Sequence, residues 1–384
     1  MNKLSGRYAI AGVGESDVGR HLGRSGMALH LEAMTRAMVD AGLDKSDIDG
    51  LLVRPSRGEP QFNYSAVLAG RLGIAPTYFS DVALGGASSA SMILDAVAAL
   101  EAGLCTTVIC VNGDAQTSRG ANRRGGLTNW IEDFERPFGM IGAPESYGLS
   151  ARRHMHEYGT TSAQFGAIAV ACRKHACLNP NATFRTPITL ADHQASRYVA
   201  EPFRLLDCCP VTDGAAAVII TSAERAKDFK KLPVYLLGLG QGFTHSDLPY
   251  TASMTTSAMK SSSERAYAMA GLGPKDIDLA QLYDCFTYVV LLTLEDYGFC
   301  AKGEGGAFVE GGRIELGGEL PVNTGGGLLS QAHGSGALLV TEGAIQMRGA
   351  AGDRQVAGAE TAIISGQCGV TGINVCLILG KHPN

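Results

Sequence analysis

The sequence predicts a duplicated α/β fold, and three observations carry that prediction. Residues 41–49 read AGLDKSDID and residues 270–278 read AGLGPKDID. Each copy follows an apolar, strand-like run ending in a Gly-x-Gly turn, YAIAGVG at 8–14 and VYLLGLG at 234–240. Downstream the order persists: a Gly/Ser-rich turn opens a helix within 85–103 and again within 332–349, and apolar strands follow at 106–114 and 361–369. A repeat this long marks a duplicated domain, because solenoid repeats recur every ~20–50 residues. Two halves of roughly 190 residues each suit domains of ordinary size. Duplication also brings two equivalent helix N-termini toward a pseudo-twofold axis. Their free N–H groups and dipole ends suit a developing negative charge.

In the first half the pattern places a strand at 8–12, a helix at 26–42, a strand at 50–54, a helix at 63–73, a strand at 79–83, a helix at 88–102 and a strand at 106–112. Such alternation implies a parallel or mixed sheet covered by helices. Residues 115–200 break the repeat. They hold the only tryptophan, Trp130, and the charged stretch WIEDFERPFG, with helices expected near 144–158 and 163–177. We read them as an inserted loop domain over the first half. Residues 207–221, DCCPVTDGAAAVIIT, return to an apolar strand that closes that half. The expected division is 1–114 plus 201–225 for the first half, 115–200 for the loop domain and 232–384 for the second half. A further helix at 286–299 carries Tyr288 and Tyr297, whose neighbours at helical spacing are apolar and mark them as packing residues.

Composition narrows the function. Hydrophobic residues make up 45% and charged residues 18% of the chain, an ordinary globular balance. A net charge of −5 argues against a general nucleic-acid binder. No apolar run reaches the ~18 residues of a membrane helix, and the N-terminal apolar stretch is too short for a signal peptide. The ten cysteines lack CxxC spacing, so reduced thiols in a cytoplasmic protein are expected. Cys172, His175 and Cys177 lack a second pair of ligands, and no metal is expected.

Four segments carry a closer likeness: RKHACLNPNA (173–182), EPFRLLDCCPVTDGA (201–215), LYDCFTYVVLLTLEDYGFC (282–300) and LPVNTGGGLLSQAHGSG (320–336). With the duplicated halves they make the chain resemble the thiolase superfamily over essentially its whole length. The resemblance is strongest to the branch near the sterol-carrier-protein-associated thiolases, which includes lipid-transfer-like proteins and aldolases of steroid side-chain degradation. It implies a five-layer α-β-α-β-α arrangement with a loop-domain insertion. The Gly-x-Gly runs add little, since Asp17 stands where a dinucleotide fingerprint needs its third glycine.

A thiolase needs a nucleophilic cysteine at the N-terminus of the first-half helix, where the dipole lowers its pKa. Here that turn reads Leu84-Gly85-Gly86-Ala87-Ser88-Ser89. Gly86, or with a shift of one Ala87, takes the nucleophile's place, and the serines read as helix caps. Claisen acyl transfer requires the missing nucleophile. Aldol or retro-aldol chemistry on a β-hydroxyacyl thioester does not. It needs a base for the β-hydroxyl, donors for the enolate oxygen and an acid for the enolate carbon.

The resemblance supplies candidates. His333, in QAHG, matches the family's oxyanion-hole histidine, although some thiolase-like aldolases have tyrosine there. Tyr283, in LYDCF, falls where the related aldolases have a catalytic tyrosine. Asp284 is a further catalytic candidate, read more as an orienting or capping carboxylate than as the base. Cys368 is a candidate proton donor if its loop is shifted, since the alignment otherwise puts Gly366 at that place. Arg152 and Arg153, in the basic cluster SARRHMHEYG, are candidates for the phosphates of coenzyme A.

The expected function is an aldolase acting on a β-hydroxyacyl-CoA, with no cofactor beyond the coenzyme A thioester that is its substrate. The alternatives are a non-catalytic acyl-CoA- or lipid-binding subunit, or an acyltransferase using Cys285 or Cys368. A homodimer is expected, as is a small partner with an OB-fold and a zinc ribbon. The apolar strand TTVICV could be the edge that pairs between copies or a central strand. No membrane partner is expected.

Overall fold

The computed structural model describes residues 4–59, 61–119, 135–334 and 336–383. Trp130 and the first half of the charged stretch that it opens, residues 130–134, lie outside the described residues. The strands are β1 (Tyr8–Glu15), β2 (Gly50–Val53), β3 (Tyr78–Asp81), β4 (Thr107–Ala115), β5 (Tyr198–Ala200), β6 (Phe203–Arg204), β7 (Asp213–Ser222), β8 (Val234–Phe243), β9 (Leu279–Gln281), β10 (Thr361–Cys368) and β11 (Ile373–Gly380). The helices are α1 (Gly26–Ala41), α2 (Tyr64–Leu72), α3 (Ser88–Glu101), α4 (Gln116–Arg119), α5 (Ala143–Tyr158), α6 (Ser162–Cys177), α7 (Leu190–Ala195), α8 (Ala223–Ala226), α9 (Ala258–Ala270), α10 (Thr287–Asp296), α11 (Gly305–Phe308), α12 (Gly327–Ser330) and α13 (Ala337–Met347).

Among the described residues nine strands join in the order β3-β2-β4-β7-β1-β8-β11-β10-β9. The equivalent strands β1 and β8 meet at the centre, paired only through Ala9–Tyr235 and Ile10–Val234. Outward from that seam the halves mirror each other. β7 and β11 come first, then β4 and β10, all antiparallel, and then β2 and β9 add in parallel. β3 extends the first half by one edge strand. α1 and α2 cover one outer face, α9 covers the other, and α3 and α13 lie between, each touching strands of both halves. This is the five-layer order that the resemblance implies.

The repeated nonapeptide folds identically in both copies. Gly42 and Gly271 end their helices in the left-handed conformation that glycine adopts without strain. Asp49 then accepts the backbone N–H groups of Thr106 and Thr107, and Asp278 those of Glu360 and Thr361. The last aspartate of each copy therefore ties its turn to the start of the next long strand.

Two readings of the sequence need correction, and a third, left open there, is decided. The Gly-x-Gly runs are not turns: Gly12 and Gly14 lie inside β1, and Gly238, Gly240 and Gly242 inside β8. Strand periodicity puts each set on one face, and there a Cβ would strike the backbone of the outer helix. The atoms struck include the carbonyl oxygens of Ala33 and Ala37 in α1, and of Ser262 and Ala266 in α9. TTVICV is central, because β4 is buried along its length between β2 and β7. The strand expected over 207–221 begins only at Asp213. Pro210 has no N–H for a ladder, and Cys209 gives its own to the carbonyl of Cys285 in the other half at 3.0 Å.

The inserted segment also leans differently from the expectation. α6 packs on α10 and α12 of the second half. α10, TYVVLLTLED, is buried on every side, and its Tyr288 meets Phe165 of α6 edge-on, with ring centroids 6.2 Å apart.

Candidate active site

The two central helices begin side by side, and the chain uses glycine at both starts. Gly336 caps α13 with φ 82°, and a Cβ added to it would lie 3.2 Å from the carbonyl oxygen of Gly86. Between them sits the ring of Tyr283. A Cβ on Gly86 would fall on the Tyr283 hydroxyl and 2.5 Å from the Gln367 carbonyl oxygen, and one on Gly336 would lie 3.3 Å from Cδ2 and Cε2 of the same ring. The phenol thus fills the space in which a residue-86 side chain would project.

The backbone holding Tyr283 is clamped on both sides. Leu282 N–H donates to Asn323 Oδ1 at 2.7 Å, Asn323 Nδ2 donates to the Leu282 carbonyl at 2.9 Å, and Tyr283 N–H donates to Ser365 Oγ at 2.8 Å. His333 follows α12 and is held through its N–H, which donates to Thr212 Oγ1 at 2.8 Å.

A cavity of about 440 Å³ opens over these groups, lined among others by Gly85, Gly86, Tyr283, His333 and Cys368. Cys368 faces Gly85, where an added Cβ would meet its sulfur. Gly366, by contrast, packs on the first turn of α3, with Ala87 Cα 3.1 Å from where its Cβ would stand. It is Cys368, two residues on, that reaches the cavity.

Electrostatics sets the protonation of the site. Burial pushes the Tyr283 phenol well above its ordinary value of 10, while Arg54 pulls it down. Arg54 is buried beside the site, and its guanidinium lies 3.5 Å from Asn112 Oδ1. The helix N-termini flanking the ring favour the phenolate as well. Burial, then Arg54 and Arg57, lowers His333 to about 4. Burial likewise lowers His30, which is paired with the Tyr64 hydroxyl at 2.9 Å, to about 4. Both rings are therefore neutral near pH 7.

That shift makes a stability prediction. An unfolded chain protonates histidine near pH 6.5. From there down to about 4 the unfolded state takes protons that the folded site refuses, so stability falls as pH falls through this window. The thermal-unfolding midpoint of the wild-type protein is expected to drop more steeply between pH 6.5 and 4 than that of His333→Asn. Equal slopes would mean that the ring accepts its proton in the fold.

Several candidates are not brought to the cavity. Asp284 turns away from it: its carboxylate accepts the N–H groups of Leu328 at 2.8 Å and Leu329 at 3.3 Å, capping α12. Burial lifts it to about 7 against those bonds. Arg152 and Arg153 project outward from α5, paired with Glu201 at 3.7 Å and Glu157 at 2.5 Å. Ser88 closes its own turn, donating to the Gly85 carbonyl and accepting from Leu84 N–H, both at 2.8 Å. Ala87 is buried beneath the first turn of α3. Cys285 reaches the cavity, but burial and Asp284 push its thiol far up.

Other residues at the cavity were not singled out from sequence. Arg57 lines it with no ion-pair partner among the described residues, and Glu135 and Asp247 line it too. Tyr147 of α5 donates to Gln367 Oε1 at 2.9 Å and meets the Phe286 ring at a tilt, centroids 4.9 Å apart, joining the inserted segment to β10 at the cavity wall. For Arg54 and Arg57 a signal existed: they follow the carboxyl end of a parallel strand, where open α/β sheets bind ligands.

Paired helix N-termini beneath a cavity, with glycine where an attacking thiol is expected, define a thiolase-like fold without its nucleophile. Comparison with known proteins agrees. A family profile described as "Thiolase C-terminal domain-like" matches residues 240–381. The 17-hydroxy-3-oxo-4-pregnene-20-carboxyl-CoA lyase of Mycobacterium tuberculosis is 38% identical, over 96% of this chain and 98% of that protein. A steroid side-chain-cleaving aldolase of Thermomonospora curvata is 38% identical over 91% and 92%. A solved structure described as an "Ltp2-ChsH2(DUF35) aldolase" superposes with a TM-score of 0.90 at 37% identity, covering 98% of each chain. The chain belongs to the thiolase superfamily.

Proposed function

We propose that this protein is a carbon–carbon lyase, an aldolase that cleaves a β-hydroxyacyl-CoA into a carbonyl compound and a shorter acyl-CoA. One observation carries the reading: the Tyr283 hydroxyl stands where a nucleophile's side chain would be, so acyl-enzyme formation at residue 86 is closed while proton-transfer groups remain. The names of its relatives, a lyase and a steroid side-chain-cleaving aldolase, support it.

In the cleavage direction the Tyr283 phenolate takes the β-hydroxyl proton. The bond between the α and β carbons breaks and its electron pair becomes the thioester enolate. His333, neutral at pH 7, donates its ring N–H to the enolate oxygen alongside N–H groups at the start of α3. The Cys368 thiol protonates the α carbon, and the Tyr283 phenol returns a proton to the thiolate, closing the cycle. Asp284 ties the Tyr283 segment to the start of α12 and touches no substrate. The phosphates of coenzyme A lie toward Arg57. Arg57→Ala is therefore expected to raise KM for a CoA thioester about tenfold, the cost of one charged hydrogen bond. Arg152→Ala and Arg153→Ala are expected to stay within about twofold; the reverse pattern would move the coenzyme to the outer face of α5.

The direct test is mass-spectrometric product analysis with a panel of β-hydroxyacyl-CoA thioesters. A carbonyl compound and a shortened acyl-CoA are expected. Transfer of an acyl group to free coenzyme A would overturn the reading.

The relative named as an "Ltp2-ChsH2(DUF35) aldolase" supports a partner protein here; we propose a small one with an OB-fold and a zinc ribbon, to be sought by co-purification with a co-expressed neighbour. We also propose a homodimer contact at edge strand β3, where Phe79 is half exposed and, among the described residues, the strand has a sheet neighbour on one side only. Phe79→Asp is expected to yield monomers in sedimentation; unchanged dimers would put the contact elsewhere.

A further inference from the structure

We propose that His245 holds the turn between β10 and β11 in a strained, left-handed form, and that this turn positions the Cys368 thiol in the cavity. His245 is then a positioning residue, acting through the backbone of the turn. The inference rests on the aldolase reading for the task of that thiol, and its test separates the two.

β10 and β11 stay paired as far as Cys368 and Ile373, which leaves Gly369, Val370, Thr371 and Gly372 as the turn. The first three have positive φ in succession: 62° at Gly369, 45° at Val370 and 74° at Thr371. Glycine adopts this region freely, but valine and threonine, branched at Cβ, are driven from it by sterics. Left-handed residues ordinarily occur singly. Strain of this kind persists only where the surroundings impose it, and it gathers at functional sites.

Here the segment leading into α9 imposes it. Three successive carbonyls of the turn each accept a donor from that segment. His245 Nε2 lies 3.2 Å from the Val370 carbonyl oxygen. Ala258 N–H donates to the Thr371 carbonyl at 3.2 Å, and Thr244 N–H to that of Gly372 at 2.8 Å. Of these three donors only the first is a side chain, so it is the one that substitution can remove. A carbonyl can only accept, so Nε2 carries the ring proton, and Nδ1 pairs with the Thr244 hydroxyl at 3.0 Å. The ring is buried, and a Cβ on Gly372 would strike the His245 carbonyl oxygen. The turn therefore packs directly on the residue that clasps it.

The consequence falls on Cys368. Left-handed turn residues follow the right-handed twist of the strands they join. A turn relaxed to the negative φ that valine and threonine prefer loses that match, and the end of the ladder splays. Cys368 is the last paired residue before the turn, so splaying reaches it first. Its sulfur now faces Gly85, and Gly369 and Val370 line the same cavity.

Two readouts test this on the full chain, with any co-purifying partner. The first is the rate at which iodoacetamide alkylates Cys368 in the folded protein, followed by peptide mass spectrometry. It reports where the sulfur is, whatever the protein cleaves. The second is uptake of solvent deuterium at the α carbon of acetyl-CoA. In that exchange the Cys368 proton passes to the Tyr283 phenolate and the thiolate takes an α proton. The C–H electron pair becomes the enolate, and the thiol, exchanged with solvent, returns a deuteron to carbon. His245→Ala is expected to speed alkylation about tenfold by freeing the sulfur from its contact with Gly85. It is expected to slow deuterium uptake about tenfold or more, with acetyl-CoA affinity within about threefold, because an error of ~1 Å at a reacting group suffices. His245→Gln keeps a donor near the place of Nε2 and is expected to restore both rates. Thr371→Gly removes the preference for negative φ at one turn residue. In that background His245→Ala is expected to cost no more than about threefold in deuterium uptake, a rescue that a purely structural role for the ring would not give. Equal alkylation rates in wild type and His245→Ala, no recovery in His245→Gln, or the same loss in both backgrounds would overturn the proposal. A wild type that neither cleaves a β-hydroxyacyl-CoA nor takes up deuterium, yet whose alkylation depends on His245 as described, would sink the aldolase reading and leave the positioning of the thiol standing.

Discussion

Replacing Tyr283 by phenylalanine is expected to lower kcat/KM for β-hydroxyacyl-CoA cleavage by about 10²–10⁴, the usual worth of a positioned acid–base group. Thioester affinity is expected to stay within about threefold. The hydroxyl has no hydrogen-bond partner among the described residues, and phenylalanine keeps the ring between Gly86 and Gly336, so the unfolding midpoint should hardly move. The same residue dictates the pH profile. Burial holds the phenol well above 10, so across neutral pH the reacting phenolate is a minor species whose fraction rises tenfold per pH unit. Wild-type log kcat/KM should therefore climb with a slope near one between about pH 6 and 9, and the residual activity of Tyr283→Phe should not. His333, already neutral above about 4, adds no inflection there. A flat wild-type profile, or a phenylalanine variant with near-normal turnover, would remove Tyr283 from the role of base.

How much of this was legible in the sequence depends on how local each signal is. The paired nonapeptides were readable because Gly42, Gly271, Asp49 and Asp278 act within a few residues of themselves or at the next strand's start. The glycines of β1 and β8 were misread as turns because the demand on them comes from the backbone of α1 and α9, about twenty residues further on. Gly86, Tyr283 and His333 sit in segments whose order matches a known family, and the fold brings all three to one cavity. Arg152 and Arg153 were read for charge without direction. Tyr147, Ala151 and His154 form the buried stripe of α5, and at helical spacing the arginines fall off it. Glu135 belongs to no motif, and only the fold brings it to the cavity wall.

Gly86→Ala carries the second large effect, through sterics. The added methyl falls on the Tyr283 hydroxyl and approaches the Gln367 carbonyl oxygen at 2.5 Å. The ring cannot retreat, since Gly336 backs it and its own N–H is tied to Ser365. Overpacking of this kind costs about 1–3 kcal/mol. A misplaced phenol should also lower turnover by at least about 10², because an error of ~1 Å at a reacting group suffices for that loss. The informative variant is the double, Gly86→Ala with Tyr283→Ala. Removing the ring frees the space that the methyl needs, so the double variant should be more stable than the sum of the two single losses predicts by about 1 kcal/mol or more. Strict additivity would mean that the two side chains do not compete for one volume. Competition implies that a thiol at residue 86 and a phenol at residue 283 exclude each other. Gly86→Cys should then form no acyl-enzyme while Tyr283 is present. On this account, exchanging acyl transfer for aldol cleavage is one steric choice, made where the two central helices begin.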